Sequence, residues 1–110
     1  MSAAGDRGFR VVDAPDRQRY EAWIGDDVVG FVEYRSVRGR RIVFHTEVDP
    51  SVEGQGVGSR LVTGVLDDVR ASGLRITVKC PFVTAFLARH PQYLDLLVGP
   101  PGPTASPKTA

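Results

Sequence analysis

A glycine-rich segment separates two different hydrophobic periods in this chain, and it is the feature that most constrains the fold. Residues 41–48 upstream follow a two-residue period typical of a strand, whereas residues 57–69 downstream follow the 3.6-residue period of an amphipathic helix. Between them lie Gly54, Gly56 and Gly58. Because glycine tolerates positive φ and close approach of other groups, several amides can converge at the helix start, where an anion such as phosphate is favoured. The alternative is a flexible turn that happens to be rich in glycine.

The periodicity predicts five strands and two helices. The strands are predicted at residues 9–12, 17–24, 28–37, 41–48 and 74–79, and the helices between residue 57 and Gly73 and between Pro81 and His90. Short turns between the first four strands favour an antiparallel meander. In the fourth strand, strict alternation places Ile42, Phe44, Thr46 and Val48 on one face and Val43, His45 and Glu47 on the other. A short final element, a helical turn or a strand, is predicted at residues 93–98.

Length and composition predict one domain. The chain has 110 residues, of which we expect 1–8 to be a flexible N-terminus, 9–98 to be the folded domain, and 99–110, with four prolines, to be disordered. A net charge of +1 gives no electrostatic case for nucleic acid or an anionic membrane. No signal-peptide pattern and no apolar run of the ~18 residues that span a bilayer is present. The single cysteine, Cys80, excludes an internal disulfide, so we expect a cytoplasmic protein.

Two common phosphate-binding motifs do not fit the glycine segment. Nucleotide hydrolases require Gly-Lys-Ser/Thr, but this chain has Gly58-Ser59-Arg60. A dinucleotide fingerprint counted from Gly54 would require a third glycine where Ser59 stands, and the preceding strands are predicted to be antiparallel rather than part of a βαβ unit.

The order of elements resembles the GNAT superfamily of N-acetyltransferases over residues 9–97. Residues 53–58, Glu-Gly-Gln-Gly-Val-Gly, occupy the frame of its pyrophosphate loop, although Glu53 stands where the family usually has Gln or Arg. We expect the Glu53 carboxylate to turn outward. The chain is most similar to minimal-length members, which share the His45-Thr46 pair, the glycine loop and the Cys80-Pro81 pair before the last long helix.

The resemblance implies an α/β GNAT-like fold, in which a mostly antiparallel central sheet with splayed fourth and fifth strands is flanked by helices. It implies that acetyl-CoA, or coenzyme A, binds with its pantetheine arm near Val48. Its pyrophosphate would lie on the loop residues Gly54, Gln55, Gly56, Val57, Gly58 and Ser59. The implied reaction is acetyl transfer to an unidentified amine. The turn at residues 13–16 is too short for the N-terminal helices of larger members, which suggests an open site and a bulky or protein-borne acceptor.

Cys80 and His45 are the candidate catalytic residues. Cys80 is predicted at a helix N-terminus, which favours a thiolate, and the resemblance brings it close to the acyl sulfur. It would either carry the acetyl group covalently, with His45 as the best available base, or simply line the pantetheine channel. His45 and Glu47 also have ordinary structural interpretations as exposed strand residues. Many members place a tyrosine general acid near the position of Leu87, and Tyr93 lies beyond it.

Three functional classes remain open on the sequence. The first is an acetyltransferase, the second a non-catalytic CoA or acyl-CoA binding module, and the third an interaction domain with a vestigial loop. No spacing of His, Cys or acidic residues predicts a metal site. Binding of CoA separates the third class from the others, and turnover separates the first from the second.

Overall fold

The computed structural model describes residues 8–98, so the expectations for residues 1–7 and 99–110 lie outside the described residues. The strands are β1 (Phe9–Ala14), β2 (Arg19–Ile24), β3 (Asp27–Val37), β4 (Arg40–Val48) and β5 (Arg75–Val78), and the helices are α1 (Val57–Ala71) and α2 (Pro81–Arg89). Short 3-10 turns lie at Pro15–Arg17, Pro50–Val52 and Pro91–Leu96. None of the described helices has the length and apolar character that crossing a membrane requires.

The five strands form one sheet in the order β1-β2-β3-β4-β5. The first four are antiparallel neighbours, as the short turns predicted, and β5 joins β4 in parallel after the α1 crossover. The predicted α/β fold is therefore confirmed. The strand boundaries differ from prediction by one or two residues, and β1 continues to Ala14 rather than ending at residue 12. The second strand begins at Arg19, because Pro15–Arg17 forms a 3-10 turn and Gln18 has a φ of 56°. The final segment contains both predicted alternatives, a 3-10 turn followed by a parallel bridge from Leu97 to Ile76.

Helix α1 packs its apolar stripe on one face of the sheet. The buried residues of this stripe are Val57, Leu61, Val62, Val65, Leu66 and Val69, as the helical period predicted. On the sheet, Ala22, Gly30 and Val48 are cross-strand partners and share this face. A Cβ added at Gly30 would lie 3.5 Å from Leu61 Cδ2, so the absent side chain lets α1 pack closely over the central strands. This packing fixes the position of the loop that precedes α1.

A β-bulge in β4 overturns the predicted alternation of its side chains. Glu33 pairs with His45 and Tyr34 pairs with Val43, which leaves Phe44 as the extra residue. Val43 is fully buried whereas Phe44 is 36% exposed, so the face predicted to carry Phe44 together with Thr46 and Val48 is wrong. A bulge accommodates two residues opposite one and redirects the chain, which a strict two-residue period cannot represent. His45 and Glu47 do share a face, as predicted, because both follow the bulge.

Gly64 in α1 provides a first test of this packing. A Cβ at Gly64 would lie 2.7 Å from Val11 Cγ2 and 2.8 Å from Val11 Cβ, and a strand-borne Cβ cannot move aside. Overpacking costs about 1–3 kcal/mol, which outweighs the ~1 kcal/mol that alanine gains over glycine in a helix. We therefore expect Gly64→Ala to reduce the free energy of unfolding by about 1 kcal/mol, measured by denaturant titration.

Gly58→Ala is the matched control for this measurement. Its Cβ would meet Phe82 Cζ at 2.7 Å, but Phe82 is 44% exposed and its ring can rotate outward. We expect a smaller loss at Gly58, and partial recovery when Gly64→Ala is combined with Val11→Ala. A Gly64→Ala protein as stable as the wild type would contradict the described contact between α1 and β1.

Candidate active site

Strands β4 and β5 separate part-way along their length. Their pairing runs only from Arg40 and Arg75 to Val43 and Val78, with one further bond from Lys79 N to Val43 O at 2.8 Å. Strand β4 then continues to Val48, while the other chain turns into α2. The separation therefore begins at the bulge. The predicted splay is present, and it leaves the edge of β4 between residues 44 and 48 unpaired with β5.

The glycine loop opens onto this edge at the start of α1. Gly54 and Gly56 have φ values of 85° and 76°, and among residues 8–98 no atom beyond the immediate chain neighbours lies within 4 Å of a Cβ placed on either residue. Gly56 is the N-cap of α1, and the first helical bond runs from Arg60 N to Gly56 O. The amides of residues 57–59 precede that bond and are the donors that a helix start leaves available. The first turn carries no acidic residue, so the loop can bind an anion.

Local hydrogen bonds order the chain that leads into the loop. Asp49 Oδ1 accepts from Ser51 N at 2.9 Å and caps the Pro50–Val52 turn, and Gln55 N donates to Val52 O at 3.2 Å. The hydrogen bonds from Ser51 hold the pKa of the Asp49 carboxyl below its usual value. The loop is therefore held in its open form by contacts that do not use the amides of residues 57–59.

A groove of about 250 Å³ runs beside the loop. It is lined by Val48, Val52, Glu53, Gly54, Gly56, Val57, Gly58, Ser59 and Phe82. Gly58 contributes differently from the other two glycines. Its backbone is helical, and the absence of its Cβ admits the Phe82 ring from α2. Glu53 is exposed and belongs to the lining.

Cys80 lies where the two strands diverge. It is the N-cap of α2 and only 3% exposed, and its Sγ lies 3.3 Å from Thr46 Oγ1 on β4. Its carbonyl accepts from Thr84 N and Thr84 Oγ1, both at 3.0 Å, which fixes the first turn of α2. The sequence predicted the helix start at Cys80, but it gave no signal for the contact with Thr46.

His45 lies on the opposite face of the sheet from Cys80. Its Nε2 lies 2.8 Å from Glu47 Oε2, and its ring centroid lies 6.1 Å from that of Phe31. Both partners of the His45–Glu47 pair are exposed, with 47% and 61% of their side chains accessible. Thr46, between them in sequence, faces the other way and contacts Cys80. The structure therefore does not bring His45 to Cys80 as a base for its thiol.

A second cleft, of about 460 Å³, adjoins the groove through Val48, which lines both. Its polar and aromatic lining consists of Arg19, Phe31, Glu47 and Asp49, and the rest is residues 28–30, Val48 and Pro50. The guanidinium carbon of Arg19 lies 4.6 Å from the centroid of the Phe31 ring. Arg19 and Phe31 were not among the predicted site residues, because nothing local in the sequence relates strands β2 and β3 to the glycine loop.

A buried carboxylate supports one wall of this cleft. Glu21 is only 2% exposed and accepts from Arg19 Nε at 2.8 Å, Arg17 Nη1 at 3.0 Å and Trp23 Nε1 at 3.1 Å. Burial raises the pKa of the Glu21 carboxyl, but these hydrogen bonds outweigh burial and bring the pKa below its usual value. Glu21 is therefore charged at neutral pH and fixes the stem of Arg19.

Comparison with family models decides which family this fold and loop represent. The model described as GCN5-related N-acetyl-transferase matches residues 19–96, which include the loop and both clefts. The chain belongs to the GCN5-related N-acetyltransferase family. It is an acetyltransferase domain, and the sequence-based expectation of a GNAT superfamily member is confirmed.

Solved structures agree with this assignment. A GCN5-like protein from Staphylococcus aureus, determined by NMR in solution, is similar with a TM-score of 0.63 and 26% identity, over 88% of this chain and 95% of that one. Ribosomal-protein-alanine N-acetyltransferase from Brucella melitensis biovar Abortus 2308 has a TM-score of 0.50 and 18% identity, over 83% of this chain and 68% of that one. The second likeness shows the fold alone. None of the curated proteins compared with the chain matches it significantly.

Proposed function

We propose that this acetyltransferase uses acetyl-CoA and transfers its acetyl group to the nitrogen of an amine. The observation that carries the proposal is the open loop of residues 54–59, which lies at the start of α1 and leads to the separated edge of β4. A compact anion suits the loop, and an extended polar chain suits the edge. Acetyl-CoA has both parts, a pyrophosphate and a pantetheine arm.

The proposed cofactor-binding residues form two groups, one for the pyrophosphate and one for the pantetheine arm. The loop of residues 54–59 would hold the pyrophosphate through its free amides, which backbone N–H groups at a helix start can do without a lysine, while the Gln55 amide keeps its bond to Val52 O. The backbone near Val48 would pair with the pantetheine. From Val48 back to Phe44 the strand rises ~13 Å, so an extended arm would place the acyl end near the bulge.

Acetyl-CoA would supply an activated thioester near the bulge in β4, and side chains of the protein would surround the thioester there. Glu47 and His45 would take the proton that the attacking amine loses as its nitrogen replaces the CoA sulfur on the acetyl carbon. Their contact at 2.8 Å suits this task because a proton that the Glu47 carboxylate accepts from the amine can pass on to the His45 ring. The exposure of both residues leaves them accessible to an acceptor from the second cleft.

Cys80 would contact the acyl end from the other side of β4. Two routes are open. In the direct route the thiol lines the channel. In the covalent route the Cys80 sulfur displaces the CoA sulfur from the acetyl carbon, and the amine then displaces Cys80. The buried position of Sγ beside Thr46 supports contact in both routes.

We expect Cys80→Ala to lower turnover of acetyl-CoA with an amine by about 10-fold or more, because the acyl group loses a wall of its channel or its carrier. Val83→Ala is the matched control, since Val83 is also buried, at 2% exposure in α2, but has no thiol that could carry the acetyl group. Intact-mass spectrometry after incubation with acetyl-CoA separates the routes. An adduct of about one acetyl group that is absent in Cys80→Ala indicates the covalent route, and its absence indicates the direct route. Full turnover in Cys80→Ala would remove Cys80 from the catalytic residues.

The proposal as a whole is tested by release of free CoA thiol from acetyl-CoA in the presence of a panel of amines. Amine-dependent release by the wild-type chain is the expected result. Binding of CoA without release for any amine would instead favour the non-catalytic CoA-binding module.

A further inference from the structure

We propose that the second cleft selects an acceptor that carries a carboxylate close to its amine, such as a small free amino acid, rather than a simple amine. This inference rests on the proposed acetyl-CoA function, and it names the substrate class. It is carried by the arrangement of opposite charges at the two ends of one cleft.

One end of the cleft is cationic. Arg17 and Arg19 both donate to Glu21. Glu33, the cross-strand partner of Arg19, lies on the same face but does not line the cleft, so Arg19 is the cation of the cleft lining. Arg19 uses Nε for this contact, and within residues 8–98 its two terminal nitrogens make no hydrogen bond. Arg19 lines the cleft, whereas Arg17 does not and is 59% exposed. The free side of the Arg19 guanidinium can therefore bind a carboxylate with two parallel hydrogen bonds.

The other end of the cleft is anionic. Glu47 and Asp49 both line it, and the Asp49 carboxyl is held ionised by its hydrogen bonds from Ser51. These two carboxylates favour the approach of a cationic amine. Glu47 also contacts His45, the pair assigned above to removal of the amine proton.

The distance between the two ends suits a short zwitterion. The Arg19 guanidinium lies over Phe31, and Phe31 is the direct cross-strand partner of Glu47. Arg19 on β2 and Glu47 on β4 have β3 between them, so at ~4.8 Å per neighbouring strand their backbones lie about 10 Å apart. An amine and a carboxylate joined by one to three carbons, with one hydrogen bond of ~2.9 Å at each end, span a gap of this size. The Phe31 ring between them offers an apolar surface to the connecting carbons.

The test compares acceptors that differ only in the carboxylate. Glycine, β-alanine and γ-aminobutyrate are each paired with the amine left by its removal, namely methylamine, ethylamine and propylamine. We expect kcat/KM for the best amino acid to exceed that of its partner amine by at least 10-fold. In Arg19→Gln this preference should disappear, mainly through a higher KM for the amino acids.

Arg17→Gln is the matched control. It also removes one guanidinium from Glu21, but it leaves the cleft lining intact, so the preference for the carboxylate should persist. Arg19→Lys, which keeps the charge, should retain part of the preference. This variant keeps the proposal testable if Arg19→Gln fails to fold. Equal rates with amino acids and simple amines, a preference for lysine side chains in peptides, or equal effects of the two glutamine substitutions would overturn the inference.

A binding measurement separates this inference from the proposed function. In the chain saturated with CoA, added amino acid should shift the NMR signals of the Phe31 amide and the Trp23 indole N–H, which bonds Glu21. Shifts at residues 54–59 with CoA but none at Phe31 or Trp23 with any amino acid would refute the acceptor class and leave CoA use standing. Failure of CoA itself to bind would refute both.

Discussion

Gly56→Asp is expected to abolish the thermal stabilisation that CoA gives the wild-type chain. CoA at 100 times its dissociation constant adds about 2.7 kcal/mol to the stability of the folded state, which corresponds to a rise in Tm of roughly 10 °C for a domain of this size. A carboxylate at Gly56 would enter the open concavity at the start of α1, where no atom of the described residues beyond the chain neighbours lies within 4 Å of the added Cβ. The added carboxylate would occupy the place of the pyrophosphate and repel its negative charge.

Two variants isolate the charge from the backbone strain that a non-glycine residue suffers at positive φ. Gly56→Asn places a side chain of the same shape without the charge, and it should retain part of the CoA-dependent shift. Gly39→Asp adds the same residue at a φ of 75°, in the turn between β3 and β4, again with nothing within 4 Å. It should lower Tm about as much as Gly56→Asp without CoA, yet keep the full shift with CoA. A normal CoA shift in Gly56→Asp would place the cofactor elsewhere.

Glu47→Gln is expected to lower kcat with any good acceptor by about 100-fold or more, which is the usual contribution of a positioned general base. The amide keeps the shape of the side chain and its contact with His45, but it cannot accept the proton that the amine loses. Affinity for CoA should not change, because the Glu47 side chain faces away from the groove beside the loop. Steady-state kinetics at saturating acetyl-CoA provide the measurement.

Glu33→Gln is the matched control for Glu47→Gln. Glu33 is the cross-strand partner of His45, so it lies on the same face of the sheet and carries the same charge, but it does not line the cleft. Its removal should change kcat by less than a few-fold. Equal losses in the two variants would mean that the general charge of the face, and not a proton transfer at Glu47, determines the rate.

The elements that follow from local patterns were predictable from the sequence. The change of period at residue 57 gave α1 and its buried stripe, and the glycines at positions 54 and 56 gave the open start of the helix. Short turns gave the antiparallel order of the first four strands. Each of these depends on neighbours within a few positions, which is the range that propensity and periodicity describe.

The features that depend on pairing between distant strands were not predictable. The bulge at Phe44 reverses the faces of β4, and it exists because Val43 and His45, two residues apart in sequence, pair with the adjacent residues Tyr34 and Glu33. The same register places His45 and Cys80 on opposite faces, against the expectation that one could activate the other. The second cleft likewise combines Arg19 with Glu47 through two intervening strand pairings. No local period specifies such a register.

The most direct test of the central proposal is an NMR titration of the nitrogen-15-labelled wild-type chain with acetyl-CoA. We predict that the largest shifts occur at the amides of residues 54–59 and along β4 from Thr46 to Val48, with smaller shifts at Cys80. Saturable shifts in that pattern are the expected result. An unchanged spectrum at millimolar acetyl-CoA in a folded sample, or shifts that leave residues 54–59 unaffected, would contradict the proposal that this loop binds the cofactor.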